Sequence, residues 1–201
     1  MAALYSGSNI TITTTNSGSA GTGAGSITFS TQLNYNSVTQ QTPTSGASLT
    51  LIPNNNITIA KSIDLKNTDL IINNANDVNI AVNQYIKVAS FNQKAGTGST
   101  TINSDITSYG SNGISIKTNR VELNSLLQTD AATPADIKVE TNGAIDLTYS
   151  YGPADYPKFG TASVESSRDA TLTSGSTITL FNDTPNVDGN FLAINSGRNL
   201  S

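Results

Sequence analysis

The chain has 201 residues, of which 36% are hydrophobic and only 12% are charged, and its formal net charge is −4. It contains no cysteine, histidine or tryptophan, which excludes disulfides, thiolate metal sites and acid–base catalysis by histidine. The acidic balance gives no electrostatic reason to expect nucleic acid as a partner, and no apolar run is long enough for membrane insertion.

Short β-strand patterns recur along the chain, with aliphatic or aromatic residues two positions apart and Gly, Asn, Ser or Asp between the clusters. A first set of clusters recurs about every 22 residues, and its members are Ile27/Phe29, Leu49/Leu51, Leu70/Ile72, Phe91, Ile114/Ile116 and Ile137/Val139. A second set follows each member of the first and comprises Leu33/Tyr35, Ile57/Ile59, Val78/Ile80, Ile102, Val121/Leu123 and Ile145/Leu147. A third set comprises Ile63/Leu65, Ile86/Val88, Ile106, Leu126 and Tyr149.

Three strands per period predict an all-β fold, a right-handed parallel β-helix with three walls and coils of about 22 residues. Successive coils would stack about 4.8 Å apart, so that each inward side chain meets its equivalent in the next coil. Ile114 and Ile137 are then inward-facing equivalents, while Ser115 and Lys138 face solvent. About eight coils would form a single domain over residues 1–201.

The last part of the chain keeps the pattern but lengthens the spacing. We expect Val164, Leu172 and Ile178/Leu180 to form the three walls of one more coil, and Phe191 and Leu192 to open a final partial coil. The additional length is residues 150–160, which we predict to be an insertion loop at a corner of the stack.

Residues 6–29 and 87–128 combine Gly/Asn corners, Ile-x-Leu strands and Thr, Ser and Asn filling. This combination resembles the β-helical repeats of filamentous-haemagglutinin-type adhesins and autotransporter passenger domains. The resemblance implies a structural or adhesive segment of a large secreted bacterial protein, located outside the cell or on its surface. The Asn-Pro-Asn-Gly secretion motif of that family is missing, so the resemblance implies either a fragment of the repeat region or a distant relative.

Carboxylates are the candidate catalytic groups, because some β-helical proteins cleave polysaccharides with acidic residues on one wall. Asp69, Asp77 and Asp136 precede strands at corners, where Asp caps turns, and Asp64 and Asp146 alternate outward. No cluster of Arg or Lys accompanies an acidic pair. We therefore predict no catalytic residues, no cofactor, no metal site and no enzymatic activity.

The insertion is rich in aromatic residues. Tyr151, Tyr156 and Phe159 lie within it beside Pro153 and Pro157, a composition that suits contact with a host-surface protein or glycan. The alternative is that the loop folds over a wall and buries its own rings.

Two other functions remain open besides the structural or adhesive one. The chain could be a filament subunit that self-associates end to end, because the predicted strands leave little room for a cap on either end of the stack. It could also bind or cleave polysaccharides, as tailspike and pectin-lyase-like β-helices do.

Overall fold

The computed structural model describes residues 2–14, 25–34, 46–73, 75–149, 162–182, 193–196 and 199–201. One short helix, α1 (Ala2–Tyr5), precedes the strands. The strands of the N-terminal half are β1 (Ile10–Thr13), β2 (Ile27–Phe29), β3 (Leu33–Asn34), β4 (Ala47–Ile52), β5 (Ile57–Ile59), β6 (Ile63–Ile72), β7 (Val78–Ile80), β8 (Tyr85–Gln93) and β9 (Ser99–Ile102). Those that follow are β10 (Asp105–Ser108), β11 (Ile114–Thr118), β12 (Arg120–Leu123), β13 (Leu126–Thr129), β14 (Ile137–Thr141), β15 (Ile145–Tyr149), β16 (Ser163–Ser166), β17 (Asp169–Ser174), β18 (Ile178–Asn182), β19 (Ala193–Ser196) and β20 (Asn199–Leu200).

The described strands form three ladders of parallel pairs. The first ladder runs through β1, β4, the second half of β6, the second half of β8, β11, β14, β17 and β20. The second ladder is a separate sheet that contains β2, β5, β7, β9, β12, β15 and β18. The third ladder runs through β3, the first halves of β6 and β8, and then β10, β13, β16 and β19.

The chain visits the first, second and third ladder in turn and then returns to the first. Because β6 and β8 each belong to both the third and the first ladder, these two ladders form one 13-stranded sheet within the described residues. A nearly all-β chain with parallel strands is consistent with a β-solenoid, and the predicted all-β class is confirmed.

The core consists of aliphatic rows that run across the strands. Ile114 pairs with Ile137, and Ile116 pairs with Val139, and all four side chains are buried. The intervening Lys138 is exposed, as the alternation of a strand requires. Full burial of one such aliphatic side chain stabilises the fold by about 1.5–3 kcal/mol, and every level of the stack repeats that contribution.

Corners are held by side chains that hydrogen-bond to the next level. The Oδ1 atom of Asn56 accepts a hydrogen bond from the backbone N–H of Asp77 at 3.1 Å, and Oδ1 of Asp77 accepts one from the backbone N–H of Ser99 at 2.8 Å.

At another corner Gly113 has φ 64°, and a Cβ atom there would clash with the carbonyl oxygen of Asp136. Only glycine meets both conditions.

The predicted register is wrong at the N-terminal end. Ile27 pairs with Ile57 in the second ladder, not with Leu49, and Leu49 instead pairs with Ile10. Leu33, which we assigned to the second set, pairs with Ile63 in the third ladder. The paired Ile10 and Leu49, like the neighbouring Asn9 and Ser48, are separated by 39 positions in sequence, so a spacing of about 22 residues led to the wrong ladder.

Near the insertion, Val164, Leu172 and Ile178 lie on three different ladders, as expected for the three walls of one coil, but Val164 does not continue the first ladder. Val164 pairs with Leu127 in the third ladder, and Leu172, not Val164, continues the first ladder by pairing with Val139. Residues 150–160 therefore join the second ladder to the third within one turn. Phe191 and Leu192 lie outside the described residues.

Two smaller corrections concern single residues. Leu127 is the buried residue of β13 and Leu126 is only half-buried, because a shift of one residue exchanges the two faces of a strand. At the N-terminus, where we expected little room for a helical cap, α1 places Leu4 in the core with 2% of its surface exposed.

The paired positions of β11 and β14 generate the first testable prediction. Ile137→Asp places an unpaired carboxylate in a fully buried position and should cost more than about 4 kcal/mol of the free energy of unfolding. Lys138→Asp, at the neighbouring exposed position, removes only the surface ion pair with Glu140 and should cost less than about 1 kcal/mol. Urea denaturation followed by circular dichroism measures both, and equal losses would contradict the assigned register.

Candidate functional site

The predicted contact residues Tyr151, Tyr156 and Phe159 lie outside the described residues. The structure does describe both flanks of their segment, β15 in the second ladder and the buried Ala162 before β16 in the third. The segment from Asn182 to Ala193, between β18 and β19, joins the same two ladders one level further on. Both connections therefore run from a strand of the second ladder to a strand of the third.

Corner carboxylates bond to the adjoining level of the stack. Asp69 accepts a hydrogen bond from the hydroxyl of Ser90 at 2.6 Å, and Asp105 accepts one from the backbone N–H of Leu126 at 3.2 Å. Asp136 accepts one from the backbone N–H of Asp169 at 3.1 Å. We predicted that Asp69 and Asp136 cap their own turns, but these bonds connect successive turns.

The outward carboxylate Asp146 belongs to a small ionic cluster on the second ladder. Glu122 and Asp146 are paired directly opposite each other, an arrangement of like charges that destabilises a sheet. Arg120 bridges the two, with Nη2 at 3.1 Å from Glu122 and at 2.8 Å from Asp146. The hydrogen bond to Asp146 raises the pKa of Arg120. The cluster therefore compensates a repulsion between levels.

Two further ion pairs keep carboxylates in the charged form. The hydrogen bond from Arg168 lowers the pKa of Asp136 below its usual value, and the hydrogen bond from Lys138 lowers the pKa of Glu140. A general acid at neutral pH needs a pKa that is raised instead. These two carboxylates are therefore suited to structural ion pairs and not to proton donation.

Two tyrosines of the third ladder each lie beside a lysine. Tyr85 belongs to β8, and Tyr109 directly follows β10. Nζ of Lys87 lies 4.7 Å from the ring centre of Tyr85, and Nζ of Lys66 lies 5.0 Å from the ring centre of Tyr109. Cation–π contacts of this kind contribute about 0.5–1 kcal/mol at exposed sites. The lysines therefore occupy one face of each ring.

The first ladder borders a shallow depression of about 220 Å³, which is lined by Lys117, Glu140, Thr141, Asn142 and Thr173. Pockets that bind small molecules usually enclose about 300–1,000 Å³ and are mainly apolar. This depression is smaller and is lined by polar and charged residues. It suits water or one polar group of a larger partner.

A buried polar pair interrupts the aliphatic rows. Gln93 follows Ile72 and precedes Ile116 in its row, and Thr100 lies between Val78 and Val121 in the facing row of the second ladder. The hydroxyl of Thr100 donates a hydrogen bond to Oε1 of Gln93 at 3.0 Å. Nε2 of Gln93 has no hydrogen-bond partner in the described part of the chain.

Comparison of the chain with models of protein families found no match, and neither a curated protein nor a solved structure matches it. In the part of the chain that the structure describes, no group of three or more acidic side chains could hold a metal ion. No helix among those residues is long and apolar enough to cross a membrane.

The Gln93–Thr100 pair generates the second prediction. Thr100→Val leaves the Gln93 amide without its hydrogen bond and should cost about 1–3 kcal/mol, and Gln93→Met should cost a similar amount by leaving the hydroxyl of Thr100 unpaired. The double variant removes every unsatisfied group and should regain at least the stability of the unmodified chain. Thermal or urea unfolding of the four proteins measures the coupling, and purely additive losses would contradict the pairing.

Proposed function

We propose that the chain is a structural or adhesive segment of a secreted or cell-surface bacterial protein. We further propose that its ladders form a right-handed, three-walled β-helix with coils of about 22 residues. Right-handedness is supported by the rule that parallel crossover connections are right-handed in about 98% of cases. The successive strands of the first ladder support about eight coils.

The functional proposal rests on one observation: the charged side chains at the corners and on the second ladder bond to neighbouring levels of the stack. Asp69, Asp77, Asp105 and Asp136 bond to neighbouring levels, and Arg120 neutralises the opposed Glu122 and Asp146. These groups hold the stack together and form no acid–base pair on a wall. The described surface therefore favours a scaffold with extended faces over an enzyme.

The lack of cysteine supports a location outside the cytoplasm in one respect. A chain without thiols cannot form wrong disulfides in an oxidising compartment. The stack holds without covalent cross-links, because each level pairs along its length with its neighbours and solenoid stability accumulates from such interfaces.

The third prediction tests the proposed location. Antibodies raised against the folded chain should label intact source cells or precipitate the protein from the culture medium, and protease added outside the cells should remove the label. A cytoplasmic protein probed in parallel should be labelled only after lysis. Labelling of this chain only in lysed cells would contradict the proposal.

A further inference from the structure

The side-chain amide of Gln93 contains the one buried side-chain nitrogen or oxygen that has no hydrogen-bond partner in the described part of the chain. Gln93 is 0% exposed, and its Oε1 atom accepts the hydrogen bond from Thr100 at 3.0 Å. Rotation of the amide by 180° would exchange the two atoms, so that Nε2 donates to Thr100 and Oε1 is left over. In either orientation one atom of this amide requires a further partner.

A buried polar atom of this kind usually finds a partner in the protein or in an ordered water molecule. The desolvation of an unpaired amide generally costs more free energy than the immobilisation of one water molecule that satisfies it. Such a water needs at least two polar partners and enough room. The surroundings of Gln93 supply both.

The second polar partner is Thr118, in the next strand of the first ladder. Thr118 is 2% exposed, and β11, which contains it, pairs with β8, which contains Gln93. A Cβ atom built on Gly96 would lie 2.5 Å from Oγ1 of Thr118 and 2.8 Å from Nε2 of Gln93. Both polar atoms therefore lie within 3 Å of one point, and hydrogen bonds of about 2.5–3.2 Å allow one water molecule to reach both.

Gly96 leaves room beside these two atoms. It is not among the described glycines with positive φ, so its backbone conformation is one that other residues adopt as well. The close approach of Thr118 and Gln93 is what excludes a side chain at this position. Glycine at position 96 therefore keeps the two polar atoms accessible to each other from the same side of the chain.

The directions of the hydrogen bonds select water as the ligand. The hydroxyl of Thr118 donates its proton to the carbonyl oxygen of Gly98 at 3.0 Å, so Oγ1 can only accept further bonds. Nε2 of Gln93 can only donate. A ligand between them must accept from one and donate to the other, which a water molecule does and which neither a metal cation nor a chloride ion can do.

We propose that one water molecule is bound inside the stack between Gln93 and Thr118. It accepts a hydrogen bond from Nε2 of Gln93 and donates one to Oγ1 of Thr118, and it thereby connects two successive levels of the first ladder. Together with the bond from Thr100, it gives both ends of the buried amide a partner. The core consequently accommodates a glutamine in an otherwise aliphatic row. This proposal does not depend on the proposed function of the chain.

The fourth prediction tests this site by oxygen-17 magnetic relaxation dispersion, which counts long-lived internal water molecules. Gln93→Met removes the donor and fills the space with an apolar chain of similar length, so the dispersion amplitude should fall by the contribution of one water molecule. Gln128→Met makes the same chemical change at a half-buried outward position of β13 and should leave the amplitude unchanged. An equal amplitude for Gln93→Met and the unmodified chain would overturn the proposal.

A measurement on the unmodified chain keeps the test independent of how well the variants fold. In water-selective rotating-frame nuclear Overhauser spectra, the side-chain amide protons of Gln93 should show a dipolar cross-peak with water, of opposite sign to a chemical-exchange peak. Gln93→Met assigns these signals by their loss, and circular dichroism should show that this variant keeps its β-structure. Amide protons of Gln93 that show no cross-peak with water, or an exchange peak alone, would also overturn the proposal.

Discussion

The structure depends on one constraint, the in-register parallel pairing of each strand with its equivalent in the next level. This pairing places equivalent side chains about 4.8 Å apart, so a paired residue in the middle of the stack has equivalent residues above and below it. Inward positions are then mostly apolar, as in the row of Ile114 and Ile137. Outward positions must avoid repulsion between levels, and where Glu122 faces Asp146 the chain supplies Arg120 between them.

The periodicity of the sequence predicted the strands and the burial of alternate residues in the middle of the chain. It failed at the N-terminal end, where Ile27 belongs to the second ladder and Leu49 pairs instead with Ile10, which is much further away in sequence than one period. Leu126 was misassigned because it and Leu127 are both aliphatic, so that composition could not indicate the inward face. Ladder identity depends on pairing between distant strands, which a local pattern does not encode.

The candidate sites were predictable to different degrees. A structural use of Asp69 and Asp136 was predicted, but Asp69 lies within β6, and the partners of both residues belong to the next level and could not be read locally. The Gln93–Thr100 pair was missed, although its burial could have been predicted from the alternation of the strands. Both residues stand two positions from an inward residue of their own strand.

The stacking itself is tested most directly by distances along one outward row of the first ladder. In this row Thr50 lies one level from Thr11, Lys138 lies four levels from Thr50, and Thr171 lies one level from Lys138. The chain has no native cysteine, so pairs of engineered cysteines can carry nitroxide labels for pulsed electron paramagnetic resonance. At about 4.8 Å per level, the Thr50–Lys138, Thr11–Lys138 and Thr11–Thr171 pairs should give about 19, 24 and 29 Å. Distances that do not increase by this step from pair to pair would contradict the stacked arrangement.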